Sequence, residues 1–292
     1  MSVVNAISCD LEDYFQVESL RGVVPRERWE SMPPRLERNT ERVLALLDEA
    51  GVRATFFVLG WCAERLPGLV KRIAEAGHEI ASHGYSHLMI TEQEPEEFRS
   101  DVRRAKALLE DLSGQPVLGS RAPTFSITER TLWAVDILAE EGYAYDSSIF
   151  PIRHDRYGIP TAPRHLHVRR GRNGASLVEF PPTTVRVLGC NLPVAGGGYL
   201  RLLPVGLVVR ALRSVNRQGW PAIVYFHPWE LDPEQPRLPV RGLSRFRHYV
   251  NLHRTAAKLR FLLARLPFTS AGAVVDEWQR ARERTTQEPS NG

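Results

Sequence analysis

The chain has 292 residues, 43% hydrophobic and 25% charged, a composition that excludes a disordered, collagen-like or disulfide-stapled protein. Its 38 basic and 34 acidic side chains leave a surplus of only four, and the densest basic stretch (Arg169, Arg170, Arg172) reads as a solvated loop rather than a nucleic-acid surface. Cys9, Cys62 and Cys190 are odd in number, far apart and without C-x-x-C spacing, which suits a reducing compartment and excludes a zinc ribbon.

The first ten residues, MSVVNAISCD, lack a basic start and reach Asp10 before a secretory core forms. The longest apolar run, 202–209, is too short to span a bilayer. The expectation is a soluble cytoplasmic protein without a transmembrane segment, with a peripheral contact at the inner face of the membrane left open.

Strand-like and helix-like runs alternate. Residues 3–9 read as a strand that stops at Asp10. After a Pro-containing loop, 39–50 reads as a helix, with Val43, Leu46, Leu47 and Ala50 on one face and Asn39 or Thr40 as cap. The run 54–59 (ATFFVL) is a buried strand by composition. The alternation continues with a helix at 66–76, a strand at 78–82, a long helix at 91–112 and a strand at 116–120. A helix at 128–141 and a strand at 143–146 follow. Later strands are expected at 177–180 and 222–226, with helices at 204–216 and 252–264. Residues 153–174 read as a long loop and 196–199 as an irregular stretch.

Sequential βα units imply parallel strands with helices outside, and about seven of them favour a distorted (β/α) barrel. The organisation expected is a single catalytic domain over 1–275, of which 195–275 is a C-terminal extension, and a frayed polar tail over 276–292.

Polar residues gather where these strands end. Asp10, His83, Arg121, Asp146 and His227 each follow or close a strand, and in a parallel barrel such ends open on one rim. His83 and His87 are four apart, a spacing that can aim two imidazoles at one metal ion and equally suits two capping histidines. Asp10, Glu12 and Asp13 offer an anionic ligand and a separate base, which hydrolysis at a metal requires; in isolation they would be a solvated acidic turn. Arg121, before Pro123, can hold a carboxylate ionised through a bidentate contact or form an ordinary ion pair. His227 beside a carboxylate such as Asp146 would have a raised pKa, as a general acid needs. Tyr14, Tyr85 and Trp229 could face a sugar ring or simply pack.

In this order the residues Asp10, His83-x-x-x-His87, Arg121-x-Pro123, Asp146 and His227 resemble the motifs of the NodB-homology polysaccharide deacetylases, carbohydrate esterase family 4. The segments SCDLEDYFQVE, GHEIASHGYSH, GSRAPTFSIT, YDSSIFP, GGGYLR and YFHPWELD are similar to the branch encoded beside exosortase-linked exopolysaccharide loci, over roughly residues 3–270. The resemblance implies a NodB-like barrel that uses one divalent metal, zinc with cobalt or nickel as alternatives. Its substrate would be an N-acetylated oligo- or polysaccharide or its precursor, stripped of acetyl groups during exopolysaccharide biosynthesis.

It also implies roles: His83 and His87 as metal ligands, Asp10 as base, Arg121 orienting Asp10, His227 as acid and Asp146 supporting His227. Tyr14, Tyr85, Pro123 and Trp229 are candidates for contact with the sugar. Activity would fall in acid as Asp10 protonates and in alkali as His227 loses its proton. Two departures from the family pattern stand out. Leu11 occupies the place of a second aspartate, so the acidic ligand is Glu12 or Asp13, and Gly84 replaces a hydroxyl residue. The alternatives are a cyclic amide or imide hydrolase of the same fold and a non-catalytic glycan-binding module.

Overall fold

The computed structural model describes residues 3–171 and 174–287. Strands β1 (Asn5–Leu11), β2 (Thr55–Val58), β3 (Glu79–Ser82), β4 (Gly119–Ser120) and β5 (Tyr145–Asp146) follow one another, then β6 (His167–Arg170) and β7 (Ser176–Glu179). A two-stranded hairpin, β8 (Thr184–Val187) with β9 (Cys190–Pro193), precedes β10 (Ile223–Phe226) and β11 (Phe268–Thr269). The main sheet has the order β10-β1-β2-β3-β4-β5-β7-β6, with β11 beside the start of β1. All its pairings are parallel except β6 with β7. This is the distorted barrel expected, left incompletely closed between β6 and β10. The gap beside β10 is bridged by Thr183, whose Oγ1 donates to Ile223 O and accepts from Ile223 N, and by Ala195 O, which accepts from Tyr225 N.

The period of two along a strand decides which side chains meet inside. In β1, Ile7, Cys9 and Leu11 pack in the large core shared with the helices, whereas Ala6 belongs to the smaller core inside the curl with Phe57, Ala81, Tyr145 and Ile223. Ser8 and Asp10 share the parity of Ala6. In β10, Val224 and Phe226 face the large core, so His227 inherits the inward parity of Ile223 and Tyr225. The parallel register pairs Cys9 with Phe226, Val58 with Ser82, Ser82 with Ser120 and Ser120 with Asp146, so consecutive strands end in one layer.

The helices are α1 (Leu36–Glu49), α2 (Gly60–Arg65), α3 (Pro67–Glu75), α4 (Pro95–Ser113), α5 (Trp133–Glu140), α6 (Gly197–Leu202), α7 (Val205–Asn216), α8 (Gly242–Tyr249), α9 (Thr255–Leu263) and α10 (Ala271–Gln287). None is long and apolar enough to cross a membrane.

Several expectations need correction. The segment 153–174 is not all loop: it contains β6, an edge strand whose HVRR sequence carries too little apolar signal to be read as one. The stretch 196–199 runs into α6. The chain beyond 276, expected to fray, stays helical as far as Gln287. Ala271, Val274 and Val275 bury one face of that helix, and Ala271 N and Gly272 N donate to Thr55 Oγ1 and Glu79 Oε2. Residues 288–292, and Arg172 of the basic stretch, lie outside the described residues.

Candidate metal centre and catalytic site

Glu12, His83 and His87 bring one carboxylate oxygen and two imidazole nitrogens within 4.8 Å of one another, all three residues being buried. Each is placed by local chemistry. His83 N donates to Val58 O directly after β3, and His83 Nδ1 donates to Arg121 O at 2.8 Å, which leaves Nε2 as a free lone pair. Burial pushes the His83 imidazole down to about 4, so it is neutral near pH 7, the form that ligates. The turn to His87 passes through Gly84 at φ +71° and closes with His87 itself at φ +55°. A Cβ on Gly84 would stand 2.9 Å from Asp101 Oδ2.

Asp101, on α4, accepts from Tyr85 N, Ser86 N and the Ser86 hydroxyl, so it does the loop-fixing work that a hydroxyl residue after His83 would have shared. His87 Nε2 and Glu12 Oε2 are 2.7 Å apart. Burial alone would raise the Glu12 pKa, but His87, with His227 and His83, takes it down to about 2. A carboxylate already ionised and a neutral imidazole with its far nitrogen engaged are the donor set that a small divalent cation takes. The residues present therefore fit the metal.

Asp10, 2% exposed, lies beside this cluster. Its Oδ1 accepts from Arg121 Nη1 at 2.5 Å. Arg121 is fully buried and spends three further donors on Ser8 Oγ, Ser147 O and Ser147 Oγ, with Phe57 4.0 Å from its guanidinium carbon. Asp10 Oδ2 is left to face His227 Nε2 at 3.9 Å, and the same Nε2 is 3.5 Å from Glu12 Oε1. His227 Nδ1 donates to Glu230 Oε1 at 2.7 Å, and Arg201 Nε donates to Glu230 Oε2 at 2.6 Å. Burial works against a charged His227, but the Glu230 hydrogen bond, with Glu12 and Asp10 nearby, raises it to about 9. Trp229 stacks between His227 and His248 and donates its indole N–H to Glu12 Oε1 at 3.3 Å. Asp10, Glu12, His83, His87, Arg201, His227, Trp229 and His248 line a cavity of about 390 Å³, and Arg121 and Glu230 stand behind its wall.

Five sequence expectations fail here. Asp13 is not at the metal cluster: its oxygens accept from Tyr14 N, Arg35 N and Leu36 N, so it caps α1, the role expected of Asn39 or Thr40. Asp146 does not support His227. It accepts from Ser148 N and Ser148 Oγ, and Ser148 Oγ in turn accepts from Ala122 N, so Asp146 props the turn that follows Arg121. Its other neighbour is Glu179, whose pKa is driven well up by burial and by Asp146.

The third failure is Tyr14, a core residue packed edge-on against Phe15 and absent from the cavity wall. The fourth is Tyr85, which faces away, with its hydroxyl donating to Glu64 and the Arg104 guanidinium 3.5 Å from its ring. The fifth is Pro123, buried in a tight turn while its neighbours Ala122, Thr124 and Phe125 form the cavity wall instead. Trp229 does line the cavity. Glu230, Arg201, His248 and Asp101 are the functional neighbours the sequence did not single out. For Glu230 a signal existed, since H-P-W-E closes a capping box in which the Glu carboxylate returns to His227 N.

Residues 29–145 match the model of a family described as polysaccharide deacetylase, and residues 147–276 match one described as a domain of unknown function. His83, His87 and Arg121 fall in the first match and His227 and Glu230 in the second. Asp10 and Glu12 precede both. A peptidoglycan-N-acetylglucosamine deacetylase of Bacillus cereus is 33% identical over 120 residues, 37% of this chain and 44% of that protein. A peptidoglycan deacetylase of Helicobacter pylori is 32% identical over 112 residues, 37% of this chain and 36% of that protein. The chain thus spans less than half the length of these curated relatives.

Among solved structures, a Mycobacterium smegmatis protein described as a polysaccharide deacetylase superposes with TM-score 0.64 at 22% identity, over 97% of this chain and 91% of the other. PuuE allantoinase superposes with TM-score 0.59 at 16% identity, over 95% and 90%. Such likenesses speak for the fold alone. Fold and site define an open α/β barrel with a candidate two-histidine, one-carboxylate metal centre on its rim. Residues 29–145 are thus similar to the polysaccharide deacetylase family, as parts of the curated relatives are to this chain, and the solved neighbours share the fold.

Proposed function

We propose that the chain is a metal-dependent deacetylase that removes N-acetyl groups from an amino-sugar polysaccharide or its precursor in exopolysaccharide biosynthesis. The observation that carries this reading is the meeting of Glu12, His83, His87, Asp10 and His227 on the wall of one cavity, with Arg121 holding Asp10 and Glu230 holding His227 from behind it. The exopolysaccharide role rests on the resemblance of the motif segments to the exosortase-linked branch. The unpaired Cys9, Cys62 and Cys190 support a cytoplasmic location.

Glu12, His83 and His87 would hold the ion, zinc being the first choice for such a donor set, with cobalt or nickel able to replace it. When bound, it supplies Lewis acidity to the acetamide carbonyl and to water. Arg121 fixes Asp10 through one oxygen, so the other oxygen accepts the proton that the attacking water gives up. His227, kept protonated by Glu230, delivers its own Nε2 proton to the amide nitrogen, without which that nitrogen leaves poorly. Arg201 in turn keeps Glu230 ionised, against a burial that would otherwise protonate it.

The test is metal analysis combined with acetate release from chitotetraose for the wild type, Asp10→Asn and His83→Ala. One ion per chain is expected in the wild type. Asp10→Asn should keep the ion and lose at least about 100-fold in turnover, within the range of general-base effects. Tight chitotetraose binding without acetate release would instead mark a glycan-binding module, and opening of a cyclic imide would move the chain to the alternative hydrolase class.

A further inference from the structure

The cavity has two unlike ends. Its floor is Asp10, Glu12 and the histidines, and its mouth carries Leu202, Leu243 and Phe246, exposed by 44, 59 and 51%. Exposed large apolar side chains scattered over a surface need no explanation, but three on the wall of one cavity do. Arg156 and Arg247 line the same mouth, and both are exposed. Among the described residues neither guanidinium has a carboxylate at ion-pair distance, and Asp155, next to Arg156 in sequence, lies instead 2.9 Å from His154 Nδ1. The mouth thus offers apolar surface and two guanidiniums outside any ion pair, with Asp155 nearby and Glu18 held by Arg21, a few side chains away from a floor built for an acetamide. A neutral glycan would satisfy the floor and leave both features of the mouth unused.

We infer that the natural substrate is amphiphilic: an N-acetylated saccharide joined through a phosphate to a long apolar chain. Arg156 and Arg247 take the phosphate, and Leu202, Leu243 and Phe246 take the first segment of the chain. This inference rests on the deacetylase reading and names the substrate class for it. Arginine suits the role because its planar, always charged fork matches phosphate oxygens. No new bond chemistry is involved, since the phosphate linkage stays intact while the acetamide is hydrolysed.

The experiment compares N-acetylglucosaminyl-phosphoryl-dodecane, kept below its critical micelle concentration, with its methyl phosphodiester and with neutral dodecyl N-acetylglucosaminide. Calorimetry reads binding and acetate release reads turnover, each for the metal-loaded protein. The dodecyl phosphodiester is expected to exceed the methyl one by at least about 10-fold in affinity and in kcat/KM, which burial of two methylenes would supply. The doubly substituted Leu243→Ser/Phe246→Ser protein should bring that ratio close to one. The pair Arg156→Gln/Arg247→Gln should erase the preference for the phosphodiester over the neutral glycoside.

The variants change exposed side chains, and matching melting curves with the wild type certify their folding; if a double variant melts early, Phe246→Ser alone and Arg247→Gln alone carry the same comparison. Equal values for dodecyl and methyl forms in the wild type, or ratios unchanged by the substitutions, overturn the inference. So does binding to phosphatidylglycerol vesicles lost in the same variants without any chain preference for the soluble probes, because the mouth would then dock on a bilayer. Chain-dependent binding with no acetate released from any probe leaves the amphiphile site standing and removes the deacetylase reading. Acetate release without chain dependence does the reverse.

Discussion

Glu230 accepts the Nδ1 proton of His227 at 2.7 Å while Arg201 grips its other oxygen at 2.6 Å. The imidazole is therefore oriented by a carboxylate three residues away in its own chain segment, and Asp146, on β5, is occupied elsewhere. Glu230→Gln removes the charge but can keep the hydrogen-bonding geometry. Turnover is expected to fall by about 10- to 100-fold, a typical span for a supported acid–base residue. Its alkaline limb should move to lower pH, because the group that raises the His227 pKa has lost its charge. Asp146→Asn should leave that limb in place and lower the melting temperature instead. A pH–rate profile of both variants decides between the two carboxylates.

The acidic ligand can be settled by stoichiometry. Glu12→Gln is expected to drop bound metal well below one ion per chain in elemental analysis, because Oε2 sits in the donor cluster. Asp13→Ala should retain the ion but lose about 1–2 kcal/mol of stability, the usual cost of removing a helix-capping side chain. A denaturant titration with metal analysis of the same samples reads both. Retention of the ion by Glu12→Gln would refute the assigned centre.

The strands were legible because their runs are apolar and β-branched or aromatic, and Asp10, His83, Arg121 and His227 because they interrupt that pattern at strand ends. What stayed hidden depends on contacts distant in sequence. Glu12 and Asp13 are adjacent acids, and only the placement of Arg35 and Leu36 shows that Asp13 is taken as a cap. Tyr14 and Tyr85 look alike in a motif, yet one is fixed by core packing and the other by Glu64 and Arg104 on an outer face. β6 and the β8–β9 hairpin lie at edges, where half of each strand meets water and hydrophobic periodicity fades.

Arg121 is the most buried cation of the site and balances Asp10 inside the barrel. Replacing it by Met deletes one partner of a buried ion pair, which costs about 3–5 kcal/mol because the other charge stays unpaired. Arg121→Lys keeps the charge but cannot reach Ser8, Asp10 and both Ser147 acceptors together, so it should recover part of the stability and little of the turnover. Urea midpoints paired with acetate-release rates would show this split. Full turnover in the lysine variant would mean that the fork geometry is irrelevant to Asp10.

His78 provides a pH test remote from the metal centre. Its Nδ1 accepts the Ala54 N–H at 3.1 Å just before β2, so the imidazole is bound in its neutral form. Burial, with Arg53 nearby, lowers its pKa from 6.5 to about 4. A depressed histidine takes up a proton in the unfolded chain before it does in the folded one. The stability this neutral ring contributes is therefore complete above pH 6.5 and is lost as pH falls from 6.5 to about 4, at a slope of up to about 1.4 kcal/mol per pH unit. His78→Gln can still accept the Ala54 N–H but has no proton to gain. The stability difference between wild type and His78→Gln, taken from urea midpoints at pH 8, 6 and 5, should shift steadily in favour of the variant as the medium is acidified. A difference that stays constant across those three conditions would show that the ring titrates in the folded protein as it does in water, and that its burial carries no linkage to acid stability.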